Sequence, residues 1–254
     1  MNIKTEKLST DILLGKPEGS INRDLVMSHE IEGVHIEHLS VKGPQQVSEA
    51  SGRDHYDVLL SLSGKAKLDV QEDENQVNGN FIIKIPYNTE YSIRVEGKHE
   101  FNCIIFRKSL DDEDRQVMVQ DMKSHHALYI KPISDCQTYT EDIKSDKTVN
   151  RIILPEGMVP RFCMGSVQTA GPDEVKEHEH PMLDQLFFGL TDCNCTCYAE
   201  NEKAVLTENT MLHIPLGSKH SVTVAEGQKL SYVWFDFFKS LEGQQYLNEH
   251  HHMV

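Results

Sequence analysis

Hydrophobic and polar residues alternate in short runs along most of the chain, and each run is closed by a turn former. In the first half the runs read YDVLLSLSG, NFIIKIP, YSIRVEG and FNCIIFR; in the second, RFCMGSVQTAG, DQLFFGL, TCYAEN, TMLHIP, HSVTVAEG and LSYVWFDFF. Many short strands separated by regular turn signals predict a sandwich or barrel. Between the halves the pattern changes. The segment SLDDEDRQVMVQDMKSHH offers Ser109 as an N-cap, acids in the first turn, and Lys and His at the end. That arrangement predicts a helix, because it satisfies the free amides and suits the helix dipole. A polar stretch, SDCQTYTEDIKSDKTVN, then leads into the second strand-rich region, and the tail SLEGQQYLNEHHHMV has room for a short helix.

The two strand-rich halves share an internal order. GNFIIKIPYNTEY in the first matches ENTMLHIPLGSKH in the second. Each aliphatic strand runs into Ile-Pro, meets a turn former two positions on (Asn88 or Gly217), and three further on reaches Tyr91 or His220. A tandem repeat of one domain-sized unit is the economical reading. It predicts a first barrel over 1–125, a connector over 126–150 and a second barrel with its tail over 151–254.

Composition narrows the function. The 254 residues suffice for a full core in each half, and the formal net charge of -15 argues against a nucleic-acid surface, which carries clustered Lys and Arg. No run approaches the length of a membrane span, and the opening MNIKTEKLSTDILLGKPEG lacks the apolar stretch of a signal peptide, so a cytoplasmic location is expected. The six cysteines are then free thiols. Cys193, Cys195 and Cys197 would lie in a spread row on one strand face, which suits core filling better than convergence on a tetrahedral zinc.

Chemistry concentrates in KEHEHPMLDQLFFGL. His178 and His180, two apart, share a strand face, with Pro181 interrupting the alternation beyond them. Pro215 and Gly217 build a turn that delivers His220 from a distant strand. Three imidazoles inside a closed barrel suit Zn, Fe, Mn, Ni or Cu. In order and separation these residues resemble the cupin motifs. Gly171, His178, His180, Gln185 and Asp192 stand at the first motif's glycine, two histidines, acid and closing glycine. Asn209, Pro215, Gly217, His220 and Val224 follow the second. One residue more than the pattern asks lies between Gly171 and His178.

The resemblance implies an all-β bicupin, two tandem double-stranded β-helix (jelly-roll) barrels joined by a short helical and polar connector. It also implies one divalent transition metal (Fe, Mn, Zn or Ni) held by His178, His180, His220 and the residue at the acid position. That residue is Gln185, with Asp184 as its rival. Adjacent strand residues face opposite sides, and counting back from Asp192 favours Gln185. An amide brings an oxygen but no charge, so the ion would keep its full positive charge and draw an anionic substrate oxygen. In the first half Tyr91 replaces the second-motif histidine, Asp57 falls near the acid position, and Ala50 and Gly52 fall where two histidines would stand, leaving His55 alone. That barrel reads as metal-free: structural, a dimerisation surface or a wall of the pocket. His213 could face the pocket as a base or be a satisfied core histidine. Trp234 reads as core, and His250, His251 and His252 carry no role.

Cupins of this kind act as dioxygenases, decarboxylases, isomerases or hydrolases on small polar organic substrates, and these residues do not choose among them. The competing expectation is a cupin that binds or senses a sugar or organic acid without turning it over. A storage role is a third expectation, against which the free thiols and the missing secretion signal count. A homodimer is expected, because jelly-roll sheets leave edges that need covering.

Overall fold

The computed structural model describes residues 3–9, 11–180 and 182–250, with the side chains of 246–250 outside the description. The chain divides into two compact units, Ser9–Asp135 and Met1–Leu8 with Cys136–Val254. Both are built from antiparallel strands, and the all-β, twin jelly-roll architecture expected from the sequence is the one observed.

In the first unit one face runs Tyr129–Pro132, Phe81–Lys84, His55–Val70, Glu100–Ser109, Val34–Lys42 and Ile21–Leu25. The other joins Gln45–Ser51, Thr89–Val95, the end of His55–Val70 and Asp73–Asn78. The strand His55–Val70 serves both faces, with a register shift between Ser61 and Ser63 where it turns from one to the other. Its inward residue Leu59 packs with Leu39, Ile83, Ile93, Cys103 and Ile105, the alternate positions of their own strands.

In the second unit a seven-stranded sheet runs Lys4–Lys7, Thr210–Ile214, Leu183–Gly189, Lys229–Phe238, Phe162–Ala170, Val149–Val159 and Gln137–Tyr139. A four-stranded sheet of Asp173–His178, His220–Val224, Asn194–Ala199 and Glu202–Thr207 faces it. Val167, Phe187, Leu206, Val222 and Tyr232 fill the space between them, with Cys193, Cys195 and Cys197 buried in the same core. Burial pushes the Cys163 thiol up in the same barrel, as it does Cys103 in the first, so these cysteines are packing residues with little thiolate character.

Three local expectations are corrected. Residues 126–150 are not a separate connector: Tyr129–Pro132 extends a sheet of the first unit and Gln137–Tyr139 one of the second. Lys4–Lys7 pairs with Thr210–Ile214, so the first strand of the chain belongs to the second barrel. Both features satisfy edge amides and carbonyls, which a reading of apolar periodicity misses in sequences as polar as KTEK. The helix Asp112–Met118 is capped by Asp111, not Ser109. Asp111 accepts from the Asp114 amide at 2.9 Å and Asp114 accepts from the Asp111 amide at 3.2 Å, a reciprocal box, while Ser109 still belongs to its strand. A helix does follow the last strand, over Leu241–His250.

Candidate metal centre

Asp173–His178 pairs antiparallel with His220–Val224, and the register shifts within it. Val175 opposes Val222 but His178 opposes His220, so one extra residue is bulged out between them. The bulge resets the alternation and turns His178 onto the inward face that Val175 already occupies. It absorbs the additional residue counted between Gly171 and His178. His180 lies past the end of this strand, so the pair is presented by a strand end and not by a regular strand; Pro181 lies outside the described residues. On the other side, the Pro215 carbonyl accepts from the Ser218 amide at 3.0 Å with Gly217 at φ +70°, the tight turn that sets His220 in place.

These elements bring three imidazoles together. One ring nitrogen from each of His178, His180 and His220 lies within 4.8 Å of the others. Ring centroids are 4.2 Å apart for His178 and His220, 5.0 Å for His178 and His180, and 5.5 Å for His180 and His220. The His220 Nδ1–H donates to the Ser218 carbonyl at 3.1 Å, and the His178 Nδ1–H to the Lys176 carbonyl at 2.8 Å. A carbonyl only accepts, so in the neutral form of either ring the lone pair sits on Nε2. The His220 Nε2 is buried and meets no hydrogen-bond partner among the described residues. Burial, with His178 beside it, lowers the His220 pKa to about 3, which keeps the imidazole neutral and able to ligate at neutral pH. Phe187, with its ring centroid 6.0 Å from that of His220, walls the cluster with apolar surface.

Gln185 and Asp184 take opposite faces of Leu183–Gly189. Gln185 alternates with the core residue Phe187 and faces the barrel interior; Asp184 faces out, paired with Lys239 at 2.5 Å and His213 at 3.5 Å. Burial disfavours the Asp184 charge, but His213 and Lys239 beside it outweigh that and hold the carboxyl below its ordinary range. His213 is thereby placed on the outer face of its strand, opposite to its inward neighbours Leu212 and Ile214. Trp234 is a packing residue: its indole lies against Gly165, where an added Cβ would come within 2.2 Å of the ring. The side chains of His250, His251 and His252 lie outside the described residues.

The sequence reading missed Asp236. It stands directly across from Gln185 in the sheet, and the Gln185 amide nitrogen donates to it at 2.7 Å. Burial raises its pKa to about 7; the Gln185 hydrogen bond opposes the rise, Glu141 and Glu156 add to it, and Lys144 opposes it. The signal was present in YVWFDFF, since an acid inside an aromatic strand must be buried with a partner.

The equivalent end of the first barrel is filled differently. By register Glu49 opposes Tyr91 as His178 opposes His220, so Glu49, not Ala50, stands at the first histidine position. Asp57 opposes Arg107 as Gln185 opposes Asp236, which puts Asp57 at the acid position. Tyr91 donates to Asp57 at 2.8 Å, and Arg107 reaches Glu49 at 2.8 Å and both Glu37 and Asp57 at 3.7 Å. Arg23 bridges Glu37 and Glu49, and His55 lies 3.5 Å from Asp57. A guanidinium thus serves as the central cation of this cluster.

No protein-family model matches the sequence, and no curated protein matches it. Solved structures do share the fold. A cupin 2 conserved barrel domain protein from Leptotrichia buccalis superposes with a TM-score of 0.62 at 13% identity, covering 93% of this chain and 96% of its own. An oxalate decarboxylase from Lactobacillus farciminis, in a formate complex, gives 0.61 at 11% identity over 92% and 89%. Procruciferin, an 11S globulin from Brassica napus, gives 0.67 at 8% identity over 93% and 84%. The chain has the cupin jelly-roll fold in both halves. It is a bicupin in architecture.

Proposed function

We propose that the protein is a metal-dependent bicupin enzyme acting on a small polar organic substrate, with its chemistry in the second barrel. His178, His180 and His220 hold one divalent transition ion (Fe, Mn, Zn or Ni), and the Gln185 carbonyl oxygen is the fourth donor. The observation that carries this reading is the His220 Nε2 lone pair, buried, deprotonated and without a hydrogen-bond partner among the described residues, in a cluster of three imidazoles. A buried acceptor left in that condition costs free energy that a bound cation recovers. Bound there, the ion supplies Lewis acidity toward substrate oxygens. The chain's own part is to orient the donors through the Ser218 and Lys176 carbonyls and to exclude water with Phe187.

The same fold serves an oxalate decarboxylase and an 11S globulin, so the histidine cluster, and not the fold, favours an enzyme. The net charge of -15 supports a small-molecule partner over nucleic acid, and no helix among the described residues is long and apolar enough to cross a membrane. A cytoplasmic homodimer completes the reading. The dimer is supported by the terminal strand Ile21–Leu25, whose Ile21 and Leu25 are exposed apolar residues.

The test is to load metal-free protein separately with Fe(II), Mn(II), Zn(II) and Ni(II) and follow small hydroxy acids, keto acids and sugars by NMR and oxygen electrode. At least one metal is expected to support turnover that His220→Ala abolishes. A tightly held ligand that emerges unchanged under every metal would establish a binding protein instead.

A further inference from the structure

The amide at the acid position raises a problem of charge. Three neutral imidazoles and an amide leave a divalent ion uncompensated inside a barrel, where unbalanced charge is expensive. The neighbouring strand supplies the answer. Gln185 and Asp236 are directly opposed in adjacent antiparallel strands, share the inward face, and are joined by a 2.7 Å hydrogen bond. The bonded atom of the amide is its nitrogen, which donates to the Asp236 Oδ1. The Gln185 Oε1 therefore points away from Asp236, and it is buried and accepts no hydrogen bond from any described residue.

We propose that Asp236 is the positioning residue of this centre: Gln185 lends the oxygen, Asp236 lends the negative charge, and together they do what one carboxylate ligand would do at that place. This rests on the reading of the histidine cluster as a metal site. The hydrogen bond fixes which end of the amide meets Asp236 and leaves Oε1 on the other side, free to serve the ion. It also polarises the amide, making the carbonyl oxygen a better donor to a cation. A second consequence concerns Gln185→Glu. Introduced alone, the new carboxylate would sit at hydrogen-bond distance from Asp236, and two carboxylates so placed cannot both stay ionised. The substitution that looks like a repair is therefore a conflict unless Asp236 is neutralised with it.

The experiment is calorimetric titration of the metal-free protein with Mn(II) and Zn(II), for the parent, Gln185→Glu, Asp236→Asn, the double variant, and His220→Ala as the control for the site. Co(II) absorption spectra give a second readout of the ligand set. Asp236→Asn, which keeps a hydrogen-bonding side chain of the same size, is expected to weaken metal binding by about 10- to 100-fold. Gln185→Glu alone is expected to gain nothing, and the double variant to bind at least as tightly as the parent, so that the two substitutions are strongly non-additive. The proposal is overturned if Asp236→Asn binds like the parent while His220→Ala fails to bind, or if Gln185→Glu alone tightens binding and Asp236→Asn adds independently. A parent that takes up neither ion overturns the metal reading itself, and this proposal with it.

Discussion

Replacing Arg107 with leucine is expected to destabilise the first barrel by about 3 kcal/mol, the lower end of the range for breaking a buried ion pair. The lower end is chosen because the Arg107 side chain keeps 20% of its exposure. The guanidinium holds Glu49 at 2.8 Å and stands 3.7 Å from Glu37 and from Asp57, whose side chain is wholly buried. Without it those carboxylates face one another with only Arg23, Tyr91 and His55 in attendance. Burial has already pushed the Asp57 carboxyl up to about 6 against the opposing pull of Tyr91 and Arg107, and losing Arg107 pushes it further. Urea denaturation at pH 7 measures the effect. Lys98→Leu is the comparison: its pair with Glu18 at 3.5 Å is exposed on both sides and should change stability by less than about 0.5 kcal/mol. Equal effects of the two substitutions would mean that the Arg107 cluster is not a structural element. Lowering the pH through about 6 should shrink the Arg107→Leu penalty, because Asp57 then protonates and no longer needs a cation.

The second large effect belongs to Asp236 in the metal-free protein. Its folded-state pKa of about 7 lies above its ordinary value of 3.8, so the folded chain binds a proton there that the unfolded chain has lost. Stability from this group is therefore complete below its ordinary value and is lost as the pH rises through about 7. The loss amounts to something on the order of 4 kcal/mol across that window. Asp236→Asn removes the titration, so the advantage of the variant over the parent should grow from about pH 4 to about pH 7 and level off above it. Asp57 titrates in the same direction in both proteins and drops out of the difference. Thermal or urea denaturation of chelator-treated protein across that pH range checks it, and a difference between variant and parent that stays constant with pH would refute the assignment. The direction is opposite to the expected loss of metal affinity in the same variant. That opposition separates a functional cost from general damage to the fold.

Much of the candidate site was legible because its signals are local. Pro215, Gly217 and His220 stand at fixed spacing in one turn, and His178 and His180 announce themselves as a pair. The inward choice of Gln185 over Asp184 followed from strand alternation once a register was assumed, and the core position of Phe187 agrees with it. What could not be read was anything set by pairing across strands. Asp236 is brought to Gln185 across a separation of 51 residues, and Arg107 to Glu49 across 58, and neither pairing leaves a mark in local periodicity. The extra residue before His178 was visible as a departure from the motif, but only the register against Val222 and His220 shows it as a bulge that aims the ring. The polar strands Lys4–Lys7 and Gln137–Tyr139 were missed for a related reason. Their place in the sheet comes from backbone hydrogen bonds to an available edge, and their side chains carry no apolar alternation.

The central claim is that the second barrel is a metal centre, and the most direct measurement is the metal content of untagged protein purified without metal-affinity resin, beside His220→Ala prepared the same way. The account predicts close to one divalent transition metal per chain in the parent and none in a folded His220→Ala. No metal in the parent after anaerobic reconstitution with Fe, Mn, Zn and Ni, or equal metal in the two proteins, would contradict it.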